Sequence, residues 1–305
     1  MKNKIIKVTI DDTSYPKNLR NIYNPPKTLY VNGAFSEQDE TAIAVVGSRR
    51  ASAYGIEMAE KLSFELALRG VTVVSGMAIG IDTAAHRGAL KARGRTVAVL
   101  GSGHGHIYPP QNEELYEKIA ASGAVVTEFG NDIEPLPYNF PQRNRIISGL
   151  SLGVVVVEAA RNSGALITAN FAAEQGREVF AVPGKISSTT SAGTNELIKD
   201  GAKLIQSVDD IFEELSLKPV DAVPEDKRHA MGEKILKQAK AYVYNSLTDD
   251  ERKLYKALSD EPVYIDELLN KAGLEPAKAS KVLLSLELKR LIKELPGKNF
   301  VRKEN

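Results

Sequence analysis

A chain of 305 residues has room for one large domain and one small one, and its 43% hydrophobic content can fill a core. It has no cysteine, which excludes disulfides, thiolate metal sites and cysteine nucleophiles. A net charge of +1 confines any nucleic-acid site to a local patch, because proteins that coat nucleic acid carry a clear excess of Lys and Arg. No apolar run approaches the roughly 18 residues that span a bilayer. The opening Met1-Lys2-Asn3-Lys4-Ile5-Ile6-Lys7 lacks the apolar segment of a secretory signal, so the expected location is the cytoplasm.

From Ala42 to about Leu215 a strand, a small-residue loop and a helix recur. The expected strands are Ala42 to Val46, Val71 to Val74, Arg95 to Leu100, Ala124 to Thr127, Leu152 to Val157 and Glu178 to Val182. They are apolar and β-branched without clean alternation, as in parallel strands buried on both faces. Between the first two, Ile56, Ala59, Leu62 and Leu66 keep a helical period until Gly70. The alternation predicts a doubly wound α/β sheet with right-handed crossovers. It occupies a domain over residues 1–216, with residues 1–41 as an N-terminal extension packed on it.

Residues 217–246, with Pro219 and the run Pro224-Glu225-Asp226-Lys227-Arg228, read as a linker followed by a polar helix. Residues 247–305 form a second unit. Thr248 and Glu251 make a capping box ahead of Leu254, a helix follows around Asp266 to Ala272, Gly273 turns the chain, and Pro276 opens a third helix. Leu291 to Leu295, Pro296-Gly297-Lys298-Asn299 and Phe300 to Arg302 then read as a hairpin. Three helices and a hairpin predict a small C-terminal winged-helix domain.

In open parallel sheets ligands bind beyond the carboxyl ends of the strands. The loops there are Gly47-Ser48-Arg49-Arg50, Ser75-Gly76-Met77-Ala78-Ile79-Gly80, Gly101-Ser102-Gly103-His104-Gly105-His106, Arg161-Asn162-Ser163-Gly164, and Pro183-Gly184-Lys185 through Gly193-Thr194-Asn195. Their glycines let backbone approach a ligand, and helix N-termini there favour anions; a tight strand-to-helix turn would use glycine for its own sake. Another segment at that edge, Phe140-Pro141-Gln142-Arg143-Asn144-Arg145-Ile146-Ile147, carries two arginines and no acid. Arg143 and Arg145, two apart, point different ways on a helix; one is expected to face a ligand, the other to be structural or to serve a neighbouring phosphate. Arg49 and Arg50 pose the same choice. Tyr54, Tyr108, Tyr138 and Phe140 in adjoining loops add the aromatic platforms on which single strands stack.

Other chemistries have less support. Gly101-x-Gly103 with Gly105 does not match the dinucleotide spacing, and Thr127-Glu128 is a poor ribose-binding acid, so no cofactor is expected. Asp82 and His86, four apart, could form an acid–base pair, ligate a metal, or make a buried hydrogen bond tying a helix to a loop, the commonest case. His104 and His106 have no nearby carboxylate to complete a metal site. No Ser-His-Asp or Ser-Lys order stands out, and no catalytic residue is assigned.

Taken together, several motifs resemble those of the DNA-processing protein A family (DprA, also called Smf). They are Ser14-Tyr15-Pro16 with Leu19, Ile22, Pro25-Pro26 and Leu29-Tyr30; Val45-Val46-Gly47-Ser48-Arg49; Ser75 to Asp82 with His86; Tyr108-Pro109 with Asn112; Phe140-Pro141-x-Arg143-Asn144-Arg145-Ile146-Ile147; Val157-Glu158-Ala159 with Ser163 to Ala169; and Phe180 to Gly184. They run in order from about residue 14 to 206. The resemblance implies an extended Rossmann-like domain that binds single-stranded DNA and loads the RecA recombinase in natural transformation, without catalysing a reaction. It implies a homodimer, with single-strand-binding protein as a further candidate partner. The strand-binding residues it points to are Gly47, Ser48, Arg49, Phe140, Arg143 and Arg145, with Lys185; Arg50, Asn144, Ser163 and Gly164 join them as neighbours on the same loops. Many members carry a helical domain before the Rossmann part, for which this sequence has too few residues. In the tail, Lys278, Lys281, Lys289 and Arg290 cluster on the third helix, where packing or partner binding is favoured over duplex reading. A nucleoside-monophosphate N-glycosidic hydrolase on a related Rossmann variant is the alternative, though Pro183-Gly184-Lys185 lacks the second glycine of its motif and Thr194-Asn195-Glu196 is a poor substitute for the rest.

Overall fold

The computed structural model describes residues 5–218, 247–258, 262–288, 291–295 and 297–302. Nearly all of the 217–246 linker, Lys289 and Arg290 lie outside the described residues. The chain divides into two compact units, Met1–Gly232 and Glu233–Asn305.

In the first unit the described strands are β1 (Ile6–Thr9), β2 (Thr28–Gly33), β3 (Ala42–Val46), β4 (Thr72–Ser75), β5 (Thr96–Val99), β6 (Ala124–Thr127), β7 (Gly153–Val156), β8 (Glu178–Ala181) and β9 (Lys203–Leu204). They form one sheet in the order β1-β2-β6-β5-β4-β3-β7-β8-β9. From β6 to β9 all pairs are parallel, whereas β2 pairs antiparallel with β6 and β1 with β2. The helices are α1 (Lys17–Arg20), α2 (Ala53–Leu68), α3 (Ile81–Lys91), α4 (Glu113–Ser122), α5 (Asn139–Gly149), α6 (Gly164–Glu174), α7 (Ala192–Lys199) and α8 (Val208–Glu214).

The strands read as unbroken apolar runs because both sheet faces are covered. In β3, Ala42, Ala44 and Val46 pack with Ile146 and Ile147 of α5 and Ala165 and Ala169 of α6. Ile43 and Val45 face the other way, onto Leu62 and Leu66 of α2 and Ile81 and Ala85 of α3. Residues before β3 join the first layer: Tyr15 and Leu19 are buried in it, and the Tyr15 hydroxyl donates to the Pro26 carbonyl at 2.7 Å.

The order also locates a crevice. From β3 the chain builds outward through β4, β5 and β6, then returns to β3's other side with β7. The winding therefore reverses between β3 and β7, and the loops leaving their carboxyl ends diverge there, which opens a crevice.

The second unit contains α9 (Asp249–Ala257), β10 (Val263–Tyr264), α10 (Ile265–Ala272), α11 (Pro276–Leu288), β11 (Ile292–Leu295) and β12 (Asn299–Arg302), with sheet order β10-β12-β11. Leu254, Leu268, Leu283, Leu286, Ile292 and Phe300 form its core. The winged-helix pattern rests on local signals. The Thr248 amide donates to Glu251 at 2.8 Å, closing the capping box, and Ser285 on α11 donates to the same carboxylate at 2.7 Å. Gly273 ends α10 in the left-handed region at φ +63°, where a side chain would be strained.

Candidate nucleic-acid interface

The crevice is built on residues 47–52, between β3 and α2. Ser48 is held from both sides: its amide donates to the Glu158 carbonyl at 2.7 Å, and its own carbonyl accepts from the Ile81 amide at 3.2 Å. Gly47 and Ser48 are half-buried, while Arg49 and Arg50 are exposed. The arginine head of Arg49 reaches across to α5, its Cζ 4.9 Å from the Phe140 ring centroid. The ring of Tyr108, itself exposed, lies 5.6 Å from Phe140 at a tilt of 53°. Gly101, after β5, lies against Phe140: a Cβ there would meet ring carbons at 2.7 and 3.0 Å. A cation and two aromatic rings thus form one half-open cluster.

Arg143 and Arg145 diverge along α5, and both are buried, at 3% and 8% exposure. Both guanidinium groups are engaged by the protein itself, where the sequence led to one of them facing a ligand. Arg143 donates to the carbonyls of Gly76, at 2.8 Å, and Val99, and through Nε to Asn144 at 3.2 Å. Its Cζ lies 5.9 Å from the Phe140 ring, on the strand side. Burial pulls its pKa down to about 10, against the opposing pull of Asp82 and with the aid of Arg49. Asp82 is buried too; desolvation pushes its carboxyl up, and Arg143 opposes that most. The two charges flank Gly76, where a Cβ would sit 2.7 Å from Asp82 Oδ2 and 2.8 Å from both terminal nitrogens of Arg143. Glycine is needed at Gly76 to let them approach. Arg145 makes a two-pronged pair with Glu128, at 2.6 and 2.7 Å, and donates to the Asn24 carbonyl at 3.1 Å. α5 itself carries no acid, but Glu128 follows β6 and Asp82 lies on α3, so the sequence segment alone concealed both partners.

The remaining candidates serve the loops. The Asn144 side chain donates through Nδ2 to the Gly164 carbonyl at 3.3 Å, and Ser163 caps α6 by accepting from the Ala165 amide. Lys185 is exposed, and the preceding Gly184 exchanges two hydrogen bonds with the Asn195 side chain, at 3.2 and 3.0 Å. The N-terminus of α2 is already filled by an acid of the chain itself: the Ser52 amide donates to Glu158 at 2.7 Å.

Two histidines, His86 and His104, are buried and used internally. His86 does not pair with Asp82. Its Nδ1 lies 2.7 Å from the Thr96 hydroxyl, which spends its hydrogen on the Val73 carbonyl, so His86 donates. Nε2 is buried without a partner, and burial, then the charge of Arg143, pulls the pKa down to about 3. His104 is buried between the Tyr116 hydroxyl at 2.8 Å and the Tyr30 carbonyl at 3.0 Å, joining β2 to α4. Asp82 and Glu158 are the site's organising acids. The signal available for Glu158 was a lone acid closing the run Val154-Val155-Val156-Val157.

Residues 7–216 match the family model for DNA recombination-mediator protein A. The chain belongs to this family. A model described as the DprA winged helix domain matches residues 238–298 of this family member. The chain is 40% identical to Protein Smf of Escherichia coli over 298 residues, 97% of this chain and 76% of that one. It is 44% identical to DNA processing protein DprA of Bacillus subtilis over 209 residues, 68% and 70% of the two chains. Among solved structures, DprA of Streptococcus pneumoniae superposes with a TM-score of 0.66 at 41% identity, over 71% of this chain and 76% of that chain. DNA processing protein A of Helicobacter pylori, a protein described for its unique single-stranded DNA binding mode, gives 0.62 at 30% identity, over 71% and 98%. Among the described residues no helix is long and apolar enough to cross a membrane.

Proposed function

We propose that this chain binds single-stranded DNA at the carboxyl edge of its sheet, as a recombination mediator that carries out no reaction itself. The observation that carries this reading is the Arg49–Phe140–Tyr108 cluster at the switch point. Exposed cations hold phosphates without reading sequence, and aromatic faces accept any base. Arg49, Arg50 and Lys185 supply the charge, and Tyr54, Tyr108 and Tyr138 are exposed aromatic rings of the same unit. Arg143 acts beneath this surface as the wall behind Phe140; Arg145 and Asn144 hold α5 in place, and Gly47, Ser48, Ser163 and Gly164 shape the loops. The family membership supports the wider role: loading RecA onto incoming single strands in natural transformation, in the cytoplasm, by a homodimer, on strands that single-strand-binding protein has coated. The domains proposed for this work are residues 1–216 for strand binding, 217–246 as linker and 247–305 as the winged helix.

The test is a gel-shift series with single-stranded and duplex DNA of equal length at several salt concentrations. Single strands should bind more tightly, with little dependence on sequence. Affinity should fall with salt at a log–log slope of about −0.7 per phosphate contacted. Equal or tighter duplex binding sinks the reading.

A further inference from the structure

Glu158, two residues beyond the end of β7, is 2% exposed. Its carboxylate accepts from the Ser52 amide at 2.7 Å through Oε2 and from the Thr190 hydroxyl at 2.5 Å through Oε1. Its main-chain carbonyl accepts from the Ser48 amide at 2.7 Å. Two of these bonds pin residues 48 and 52, and the exposed Arg49 and Arg50 lie between the pins. The third reaches the segment that starts at Pro183-Gly184-Lys185. The carboxylate is closely fitted, since a Cβ on Gly55 would sit 2.3 Å from Oε2.

By charge alone this acid is misplaced. A buried negative charge beneath a cationic loop repels phosphate, so deleting it should strengthen anion binding. Burying it also costs solvation, which only well-made hydrogen bonds offset. A carboxylate suits the position geometrically, because both of its oxygens accept, whereas an amide of the same shape offers one acceptor and two donors.

We propose that Glu158 is a positioning residue that sets the spacing between residues 47–52 and residues 183–191, and so aligns Arg49, Arg50 and Lys185 along one path for a nucleic-acid strand. This rests on strand binding at this edge, as proposed above.

The test uses the full chain with Glu158→Gln and, separately, Thr190→Val, measuring anisotropy of a labelled single-stranded oligothymidine across a salt series alongside thermal unfolding. In folded Glu158→Gln the affinity should drop roughly 3- to 30-fold. The log–log salt slope should become shallower by about 0.7 for each phosphate no longer held. Thr190→Val should move both readouts the same way but less, because it frees only the segment bearing Lys185. A merely structural role would lower the unfolding temperature and leave the affinity and slope of the folded protein unchanged, and that result overturns the proposal. So does tighter binding by Glu158→Gln, the signature of charge alone. If Glu158→Gln fails to fold, Thr190→Val decides, and wild-type affinity and slope in that variant overturn the proposal. A wild-type chain that binds no strand defeats the functional reading as well, an outcome distinct from the others.

Discussion

Arg49 and Arg143 differ in burial, and the same substitution should therefore fail differently at each. Arg49→Ala removes an exposed cation and one neighbour of Phe140. It should weaken strand binding at every sequence and flatten the salt slope by about 0.7, the share of one phosphate, with little change in unfolding. Lysine at Arg49 should rescue only partly, since a point charge lacks the planar stacking of a guanidinium. Arg143→Ala instead leaves Asp82 and two main-chain carbonyls without their buried cation. Its first effect should be a stability loss of about 3–5 kcal/mol in denaturant titration. A normally stable Arg143→Ala would mean that the Asp82–Arg143 arrangement does not hold the fold. His86 adds a pH dependence. Its folded pKa of about 3 lies below the ordinary 6.5, so the unfolded chain binds the extra proton. The stabilisation is complete above pH 6.5 and is lost as pH falls toward 3, with a slope of up to about 1.4 kcal/mol per pH unit. Asp82, shifted upward, works in the opposite sense, so the measurement must be differential. The stability advantage of wild type over His86→Gln should shrink between pH 6.5 and pH 4. A constant gap would refute the assignment.

At the scale of elements, legibility followed how local the determinants are. The runs behind β3 to β8 stand out because strands covered on both faces must be apolar throughout, and the structure places each within a residue or two of the expected limits. β1 and β2 lie outside the recurring strand–loop–helix pattern and pair antiparallel at one side of the sheet, so the repeat that marks β3 to β8 does not reach them. β9 spans two residues, too few for any periodicity. The caps Thr248–Glu251 and Gly273 were legible because each acts within one turn. The site divides the same way. Loop positions follow from strand ends, so Gly47 to Arg50 fall at the crevice as the spacing implies. Burial of a side chain does not follow from its own segment. Arg145 looks like a ligand arginine until Glu128, just after β6, meets it, and Asp82 and His86 look paired until β5 brings Thr96, itself bonded to the Val73 carbonyl of β4, to the imidazole. Glu158 was visible as a lone acid after an apolar run, but its two oxygens find partners 106 and 32 residues away.

For the whole molecule, the question is how the work divides between the two units. Every loop assigned to strand binding belongs to the first. Its last described residues are integral to it: the Leu217 amide donates to the Phe212 carbonyl at 2.9 Å, and Leu215 and Leu217 pack on the α2–α3 layer. Ending the chain after Lys218 preserves that packing, whereas ending it before Leu215 would strip it away. The second unit has its own core and caps, and its charge is nearly balanced between acids and bases. Lys278 and Lys281 are exposed on α11, but so is Leu284, at 58%, one turn beyond Lys281. A bare leucine adds nothing to a phosphate grip, which favours a packing or partner role for that helix. The truncated protein should therefore stay folded, keep most of its affinity for single strands and, under the proposed role, still accelerate RecA assembly on strands coated with single-strand-binding protein. Comparing full-length and truncated chains in both assays tests this. Loss of strand binding in a truncated chain that remains monodisperse and unfolds cooperatively would move the DNA site from the sheet edge to the winged helix.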